Sequence, residues 1–217
     1  MNIEQARFNM IEQQIRPWNV LDQKVLNLLT EVKREEYVPE TYRTLAFVDM
    51  EIPLGHDEVM LSPKLEARML QELGLKPTDK VLEVGTGSGY LTALLARQAA
   101  HVYSVEIVPE LKLSAEKKLQ AHDINNVTLE TGDAARGWDS HGPYDAIVLT
   151  GSVPVLPEAF LKSLKVGGRL FAIMGDAPAM EAKLITRVAE GAYNTADLFE
   201  TSISLLKNAV QPERFVF

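Results

Sequence analysis

Three glycines at alternate positions, Gly85, Gly87 and Gly89, directly follow an apolar run that begins at Val81. Glycine adopts positive φ without strain and lets a ligand approach the backbone, because no Cβ lies in the way. The dinucleotide-binding fingerprint G-x-G-x-x-G would require glycine at position 90, where this chain has Tyr90. The spacing therefore predicts a ligand-binding turn between a strand and a helix, and it weakens the alternative of a nicotinamide-dependent dehydrogenase.

Acidic residues follow the next two predicted strands. Glu106 ends the second strand, where a carboxylate can accept hydrogen bonds from both hydroxyls of a ribose. Asp133, between Gly132 and Ala134, follows the third strand and can accept a hydrogen bond from an adenine amino group. Ligands of open α/β sheets bind at the carboxyl ends of the strands, so we expect these features to converge on one ligand. The structural alternatives are a turn without a ligand, a solvated strand end and a helix N-cap.

A parallel sheet is needed to position these residues, and the sequence beyond residue 80 predicts one. Short β-rich runs alternate there with helical stretches, which is typical of an α/β fold with a doubly wound, mostly parallel sheet. Gly167-Gly168 is interpreted as the turn into the fifth strand. The predicted strands are 80–84, 101–106, 127–130, 144–149 and 169–174, and the predicted helices lie near 91–98, 109–122 and 157–164.

Two short helices are predicted before the sheet. Residues 2–16 carry apolar residues at helical spacing until Pro17 ends the pattern, and a second stripe over 25–32 follows Asp22 as an N-cap. Residues 37–53 show no sustained period and are interpreted as a loop-rich cap.

After the sheet, runs at 183–188 and 197–204 flank residues 190–194, which predicts an antiparallel hairpin at the sheet edge. A chain of this length can bury its core as one domain. We expect a single domain over 1–217, divided into an N-terminal cap with substrate loop (1–75), a cofactor-binding core (76–180) and C-terminal strands (181–217).

The composition narrows the class of protein. The chain is 46% hydrophobic and 24% charged, which is ordinary for a globular protein. Its net charge of −8 disfavours binding to a phosphate backbone, so no nucleic-acid partner is expected. The absence of cysteine removes disulfides and thiolate chemistry, and no metal site is expected. No apolar run is long enough to span a membrane and no secretion signal is visible, so we expect a cytoplasmic protein, and a monomer.

Further motifs extend over most of the chain: 10–17, 36–39, 52–56, 81–90, 132–133 with 137–138, and 144–150. In these motifs the chain resembles the protein-L-isoaspartate O-methyltransferase family, whose members are Rossmann-like class I methyltransferases. The resemblance implies S-adenosylmethionine as cofactor and methyl transfer to the carboxylate of an isomerised aspartate in a damaged protein or peptide. The cofactor-binding residues that it implies are Met60, Leu61, Gly85, Thr86, Gly87, Ser88, Gly89, Tyr90, Glu106, Ile107, Asp133, Ala134 and Thr150.

The substrate loop departs from the family pattern. The family reads Gly-x-Gly-Gln-Thr-Ile-Ser-Gln-Pro, whereas residues 55–63 read Gly-His-Asp-Glu-Val-Met-Leu-Ser-Pro. Leu61 therefore occupies the position of the family's active-site serine, and Val59 that of its threonine. Ser62 is a candidate catalytic replacement through a register shift. The alternative is that Ser62 caps the helix that begins at Pro63.

Charged residues in the same loop bear on the acceptor. Asp57 and Glu58 stand where the family has uncharged residues, and they would repel an anionic acceptor if they faced it. A carboxylate acceptor needs no general base, but a phenol or alcohol would, and His56 is the candidate base. Two alternatives stay open: the same fold and cofactor with a small molecule or another protein group as acceptor, and a cofactor-binding protein without turnover.

Overall fold

A computed structural model describes residues 2–212, and residues 1 and 213–217 lie outside the description. Seven strands form one sheet in the order β5-β4-β3-β6-β7-β8-β9. The strands from β5 to β7 are parallel, and β8 and β9 add to β7 as an antiparallel edge. The strands are β3 (Lys80–Val84), β4 (His101–Glu106), β5 (Val127–Thr131), β6 (Tyr144–Leu149), β7 (Leu164–Asp176), β8 (Ala179–Ala189) and β9 (Ala192–Thr201).

The central strands agree closely with the sequence prediction. The observed bounds of β3, β4 and β6 coincide with it, and β5 is one residue longer. Strands β3, β4 and β6 are largely buried, and buried strands give apolar runs that are easy to recognise, whereas β5 at the sheet edge is only partly buried. The doubly wound, mostly parallel α/β fold is confirmed.

Helices cover both faces of the sheet, and the sheet divides the core into two apolar clusters. Val81 of β3 belongs to one apolar cluster and Leu82, its neighbour, belongs to the other, as alternation along a strand requires. The longest helix among residues 2–212 has 13 residues, and none there is long and apolar enough to cross a membrane. The helices are α1 (Ile3–Met10), α2 (Gln23–Glu31), α3 (Pro63–Leu73), α4 (Tyr90–Ala96), α5 (Pro109–Ala121) and α6 (Glu158–Lys162).

The N-terminal helices form as predicted, with one difference in type. Asp22 caps α2, since its carboxylate accepts from the Lys24 N–H at 2.8 Å. The first predicted helix, 2–16, instead continues from α1 into a π-helical segment, Ile11–Ile15, and a 3₁₀ turn, Arg16–Trp18. The change of type comes before Pro17, which has no N–H to extend the α-helical pattern.

A hairpin of β1 (Ile52–Gly55) and β2 (Glu58–Met60) replaces the expected substrate loop. Its turn residues His56 and Asp57 have φ of 58° and 61°, as in a type I′ turn. This hairpin was not predicted from the sequence, because its strands are short and its turn lacks the Asn-Gly signal. The predicted loop-rich cap before it contains two 3₁₀ segments, Arg34–Glu36 and Glu40–Leu45.

The C-terminal hairpin is confirmed, with different bounds. Strand β7 begins at Leu164 rather than residue 169, so the predicted turn at Gly167-Gly168 is an irregularity inside the strand. Gly167 has a φ of +83°, and its strand resumes parallel pairing at Arg169. The turn between β8 and β9 consists of residues 190–191 only, because Gly191, at φ +69°, reverses the chain tightly.

We predict that Gly89→Ala destabilises the fold through a close helix contact. A Cβ at Gly89 would lie 3.0 Å from the Cβ of Ala115 on α5, at a φ of +82°. Gly191 is the matched control, because its φ is also positive and a Cβ there would have no atom within 4 Å. Backbone strain costs roughly 1–2 kcal/mol at either glycine, and overpacking adds about 1–3 kcal/mol at Gly89 alone. Equal losses in urea unfolding of the two variants would contradict the close contact.

Candidate active site

A cleft opens at the carboxyl ends of β3, β4, β5 and β6, where the sequence placed the binding site. Its walls come from the loops after these strands, from β2 with Leu61, from Glu66 of α3 and from residues 204–207. The predicted cofactor residues that line it are Met60, Leu61, Gly85, Thr86, Gly87, Ser88, Glu106, Ile107, Asp133, Ala134 and Thr150.

The start of the glycine loop is fixed by its neighbours in the sheet. The Gly85 N–H donates to the Val105 carbonyl at 2.8 Å. A Cβ on Gly85 would overlap the Thr150 hydroxyl, which lies 2.9 Å from both the Val84 and Gly85 carbonyls. Gly85 is therefore needed for close packing against β6, and the loop backbone stays free of side chains toward the cleft.

Glu106 joins the glycine loop to the next strand. Its Oε2 accepts from the Gly87 N–H at 2.8 Å and its Oε1 from the Val108 N–H at 3.0 Å. The side chain is buried at the floor of the cleft. Each carboxylate oxygen has two acceptor positions, so one on each oxygen is left for a ligand. Two neighbouring hydroxyls, such as those of a ribose, match this arrangement.

Asp133 is held by both of its oxygens. Oδ1 accepts from the Ala135 N–H at 3.0 Å in a local turn, and since no helix begins there, Asp133 is not the helix N-cap of the structural alternative. Oδ2 accepts from Nδ2 of Asn208, 75 residues further along the chain, at 2.9 Å. Asp133 lines the cleft beside Ala134 while making both contacts, so the local turn and a ligand-facing position occur together.

Gly89 and Tyr90 lie behind the glycine loop and are not among the residues that line the cleft. Gly89 is the N-cap of α4 and packs against α5. Tyr90 is fully buried, with its ring centroid 5.5 Å from that of Tyr37 and 5.0 Å from the guanidinium carbon of Arg34. Their binding of a cofactor stays a prediction, and the observed contacts are structural.

A buried carboxylate, Glu83, lies beneath the loop on β3. Its Oε2 accepts from the hydroxyls of Thr92 and Ser104 at 2.5 and 2.6 Å, and Ser104 lies 2.6 Å from the Thr86 hydroxyl in the cleft wall. Burial raises the pKa of Glu83 to about 8, although these hydrogen bonds act to lower it. Glu83 is therefore largely protonated at neutral pH.

Glu66 is a second buried carboxylate, and it lines the cleft directly. It lies on α3 and forms an ion pair with Arg34, which is also fully buried. Burial raises the pKa of Glu66 to about 7, while the charge of Arg34 acts against the rise. The sequence analysis missed Glu66. The available signal was an acidic residue beside Leu65, Met69 and Leu70 on the apolar face of a helix.

The two catalytic candidates, His56 and Ser62, are not among the cleft-lining residues. His56 is exposed in the turn of the β1–β2 hairpin. Ser62 is the N-cap of α3, and its carbonyl accepts from the Leu65 and Glu66 N–H groups at 3.1 and 3.2 Å. Its hydroxyl makes no cap hydrogen bond. Leu61, at the position of the family serine, is buried and faces the cleft instead.

Residues 203–209 cross the cleft, and we call them the C-terminal strap. The strap is held on the segment that follows β6, because Ser152 exchanges backbone hydrogen bonds with Ser204 and Leu206, at 2.9 Å each. Nζ of Lys207 lies 2.7 Å from both Glu58 Oε1 and the His56 carbonyl, so the charge of Glu58 is paired. Asp57 is exposed at the turn and does not line the cleft. Nothing in the local sequence of the strap signals its position, which depends on the sheet order.

Comparison with known proteins agrees with this geometry. The family model described as protein-L-isoaspartate(D-aspartate) O-methyltransferase matches residues 5–205. The chain belongs to this family. A relative named protein-L-isoaspartate O-methyltransferase from Protochlamydia amoebophila is 39% identical over 82% of this chain and 84% of its own. One of the same name from Gloeobacter violaceus is 41% identical over 76% and 81%. A solved structure from Plasmodium falciparum, titled a putative protein-L-isoaspartate O-methyltransferase in complex with S-adenosyl-L-homocysteine, has a TM-score of 0.78 at 22% identity, covering 95% of this chain and 99% of that one.

Protein-L-isoaspartate O-methyltransferases use S-adenosylmethionine, and the cleft of this member fits that cofactor. Glu106 has free acceptor positions for a ribose, and the glycine loop leaves room for close approach to the backbone. The cofactor also carries a sulfonium and an ammonium cation. Among the described residues, 2–212, four acidic residues line the cleft and Lys207 is the one cationic residue that does, so the lining favours a cationic ligand. The acidic residues are Glu58, Glu66, Glu106 and Asp133.

We predict that the stability of this family member decreases from about pH 5 to pH 8. The folded pKa of Glu83, about 8, lies above the ordinary value of 4.5, so the folded state binds more protons in that range. The free energy of unfolding then falls as pH rises. In Glu83→Gln, which cannot ionise, the change in Tm between pH 5.5 and pH 8 should shrink by several degrees. The slope should not vanish, because Glu66 contributes in the same direction. Identical slopes for both proteins in thermal unfolding would refute a protonated Glu83.

Proposed function

We propose that this chain methylates the carboxylate of isoaspartyl residues in damaged proteins or peptides. The observation that carries the proposal is that Glu106, the glycine loop and Asp133 converge on one cleft in a chain of this family. We propose that the ribose of S-adenosylmethionine contacts Glu106 and that its adenine contacts Asp133 and its neighbours. The methionine part of the cofactor would contact the 85–88 loop, Met60 and Leu61.

The proposed reaction needs positioning more than proton transfer. When bound, S-adenosylmethionine supplies a methyl group that a carboxylate oxygen attacks, while the S–C bond breaks and its electrons stay on a now neutral sulfur. An ionised carboxylate attacks without a general base, so the exposed His56 and the capping Ser62 are not required. The chain's contribution is to align the two reactants and to exclude water. The buried side chain of Leu61 helps to exclude water.

The acceptor is proposed to enter beside the β1–β2 hairpin and the C-terminal strap. An isoaspartyl carboxylate arriving there meets Glu58, but the Lys207 ammonium offsets that charge. The pairing removes the like-charge repulsion that the loop sequence suggested. A monomeric, cytoplasmic protein without a nucleic-acid partner stays a prediction from the sequence.

A labelling experiment tests the proposed function. The protein is incubated with methyl-labelled S-adenosylmethionine and an isoaspartyl peptide, its normal aspartyl counterpart, or a cell extract. We expect base-labile label on the isoaspartyl peptide alone. Glu106→Ala should abolish the label and weaken S-adenosylhomocysteine binding at least tenfold in calorimetry, because the ribose loses its acceptor. Label confined to small molecules or other groups of the extract would reject the isoaspartyl acceptor. Cofactor binding without any label would reject turnover.

We further predict that Lys207→Ala raises KM for the isoaspartyl peptide. The variant leaves Glu58 unpaired at the mouth of the cleft, where it repels the anionic acceptor. Both side chains are partly exposed, so a change of about 0.5–1 kcal/mol, or two- to fivefold, is expected at low salt. The double variant Glu58→Gln/Lys207→Ala is the matched control and should recover the wild-type KM. A rise that persists in the double variant, or in 0.5 M salt, would argue against charge as the cause.

A further inference from the structure

Glu66 differs from the other three carboxylates that line the cleft. Glu58, Glu106 and Asp133 lie in loops or at strand ends, and each accepts from a backbone or side-chain group described above. Glu66 instead lies on the first turn of α3, is 2% exposed and is one of the residues that line the cleft. A carboxylate buried to this degree is costly unless its charge is compensated.

Arg34 compensates only one side of Glu66. The guanidinium pairs with Oε2 of Glu66. Its Nε donates to the Ala46 carbonyl at 2.9 Å, and its Nη2 donates to the Leu61 carbonyl at 2.6 Å. Among residues 2–212, no group donates a hydrogen bond to Oε1 of Glu66. The free oxygen therefore points to a cationic or hydrogen-bond-donating ligand in the cleft.

The place of Glu66 in the cleft indicates which part of the ligand it meets. Glu106 and Asp133 follow β4 and β5, on one side of the glycine loop. Glu66 instead packs near Tyr90 and Arg34, at the end of the loop where α4 begins. With the nucleoside at Glu106 and Asp133, as in the proposed function, the amino-acid part of the cofactor extends toward Glu66.

We propose that Glu66 binds the α-ammonium group of the cofactor, using the carboxylate oxygen that Arg34 leaves free. This inference rests on the proposed cofactor site and adds a cofactor-binding residue to it. Arg34 then acts as a positioning residue, because two hydrogen bonds to backbone carbonyls fix its guanidinium where it pairs with the carboxylate. The competing explanation is that Glu66 serves only as the counter-ion of Arg34.

Two ligands distinguish these explanations without measuring activity. S-adenosylhomocysteine and its analogue lacking the α-amino group are titrated into the full-length protein by calorimetry. We expect the wild type to bind S-adenosylhomocysteine at least tenfold more tightly than the analogue. In Glu66→Gln this preference should fall to about twofold or less, with the affinity for the analogue nearly unchanged. If Glu66 is only a counter-ion, the variant weakens both ligands equally and the preference survives, which would overturn the proposal.

Controls separate folding from binding. Glu72→Gln removes another carboxylate of α3 that pairs with an arginine, Arg68, away from the cleft, and should keep the full preference. If Glu66→Gln unfolds because Arg34 loses its partner, Arg34→Met/Glu66→Gln removes both charges and should still lack the preference. Failure of the wild type to bind either ligand would reject the proposed cofactor site itself. Binding of both ligands with equal affinity would reject only the role of Glu66.

Discussion

The two hydrogen bonds from the Gly87 and Val108 N–H groups to the carboxylate of Glu106 hold the site together. They join the loop after β3 to the end of β4, so the glycine loop cannot move independently of the neighbouring strand. They also orient the carboxylate before any ligand arrives, which reduces the entropy lost on binding. The close packing of Gly85 on Thr150 fixes the same loop on its other side, against β6.

Beneath this loop the structure keeps ionisable groups where a core would ordinarily be apolar. One oxygen of Glu83 accepts hydrogen bonds from the hydroxyls of Thr92 and Ser104, and Glu66 has Arg34 as its counter-ion. Ser104 continues the hydrogen-bond chain to Thr86 in the cleft wall. The floor of the site is thus a polar network inside a closely packed sheet, and such networks hold side chains in defined positions.

Much of the fold could be predicted from the sequence because its central strands are short, apolar and separated by helices. The glycine loop, Glu106 and Asp133 could be predicted for the same reason, since each directly follows a recognisable strand. The β1–β2 hairpin was missed because its turn lacks a distinct local signal, and the start of β7 was misplaced because Gly167-Gly168, which resembles a turn, lies inside the strand. Glu66, Lys207 and Asn208 reach the cleft through long-range packing, which no local spacing encodes. For Leu61 and Ser62, in contrast, local spacing was sufficient. Alignment with the family motif without a register shift puts Leu61 in the cleft and Ser62 at the N-cap of α3, as observed.

The C-terminal strap contacts opposite walls of the cleft through consecutive residues. Lys207 holds the β1–β2 hairpin through its Nζ, and Asn208 holds the loop after β5 through its Nδ2, so two neighbouring side chains join the two walls. The width of the entrance therefore depends on the reach of these two side chains and on the peptide unit between them. One inserted or deleted residue at this point would detach one wall or draw both together, whereas substitutions elsewhere in the strap would leave the spacing intact.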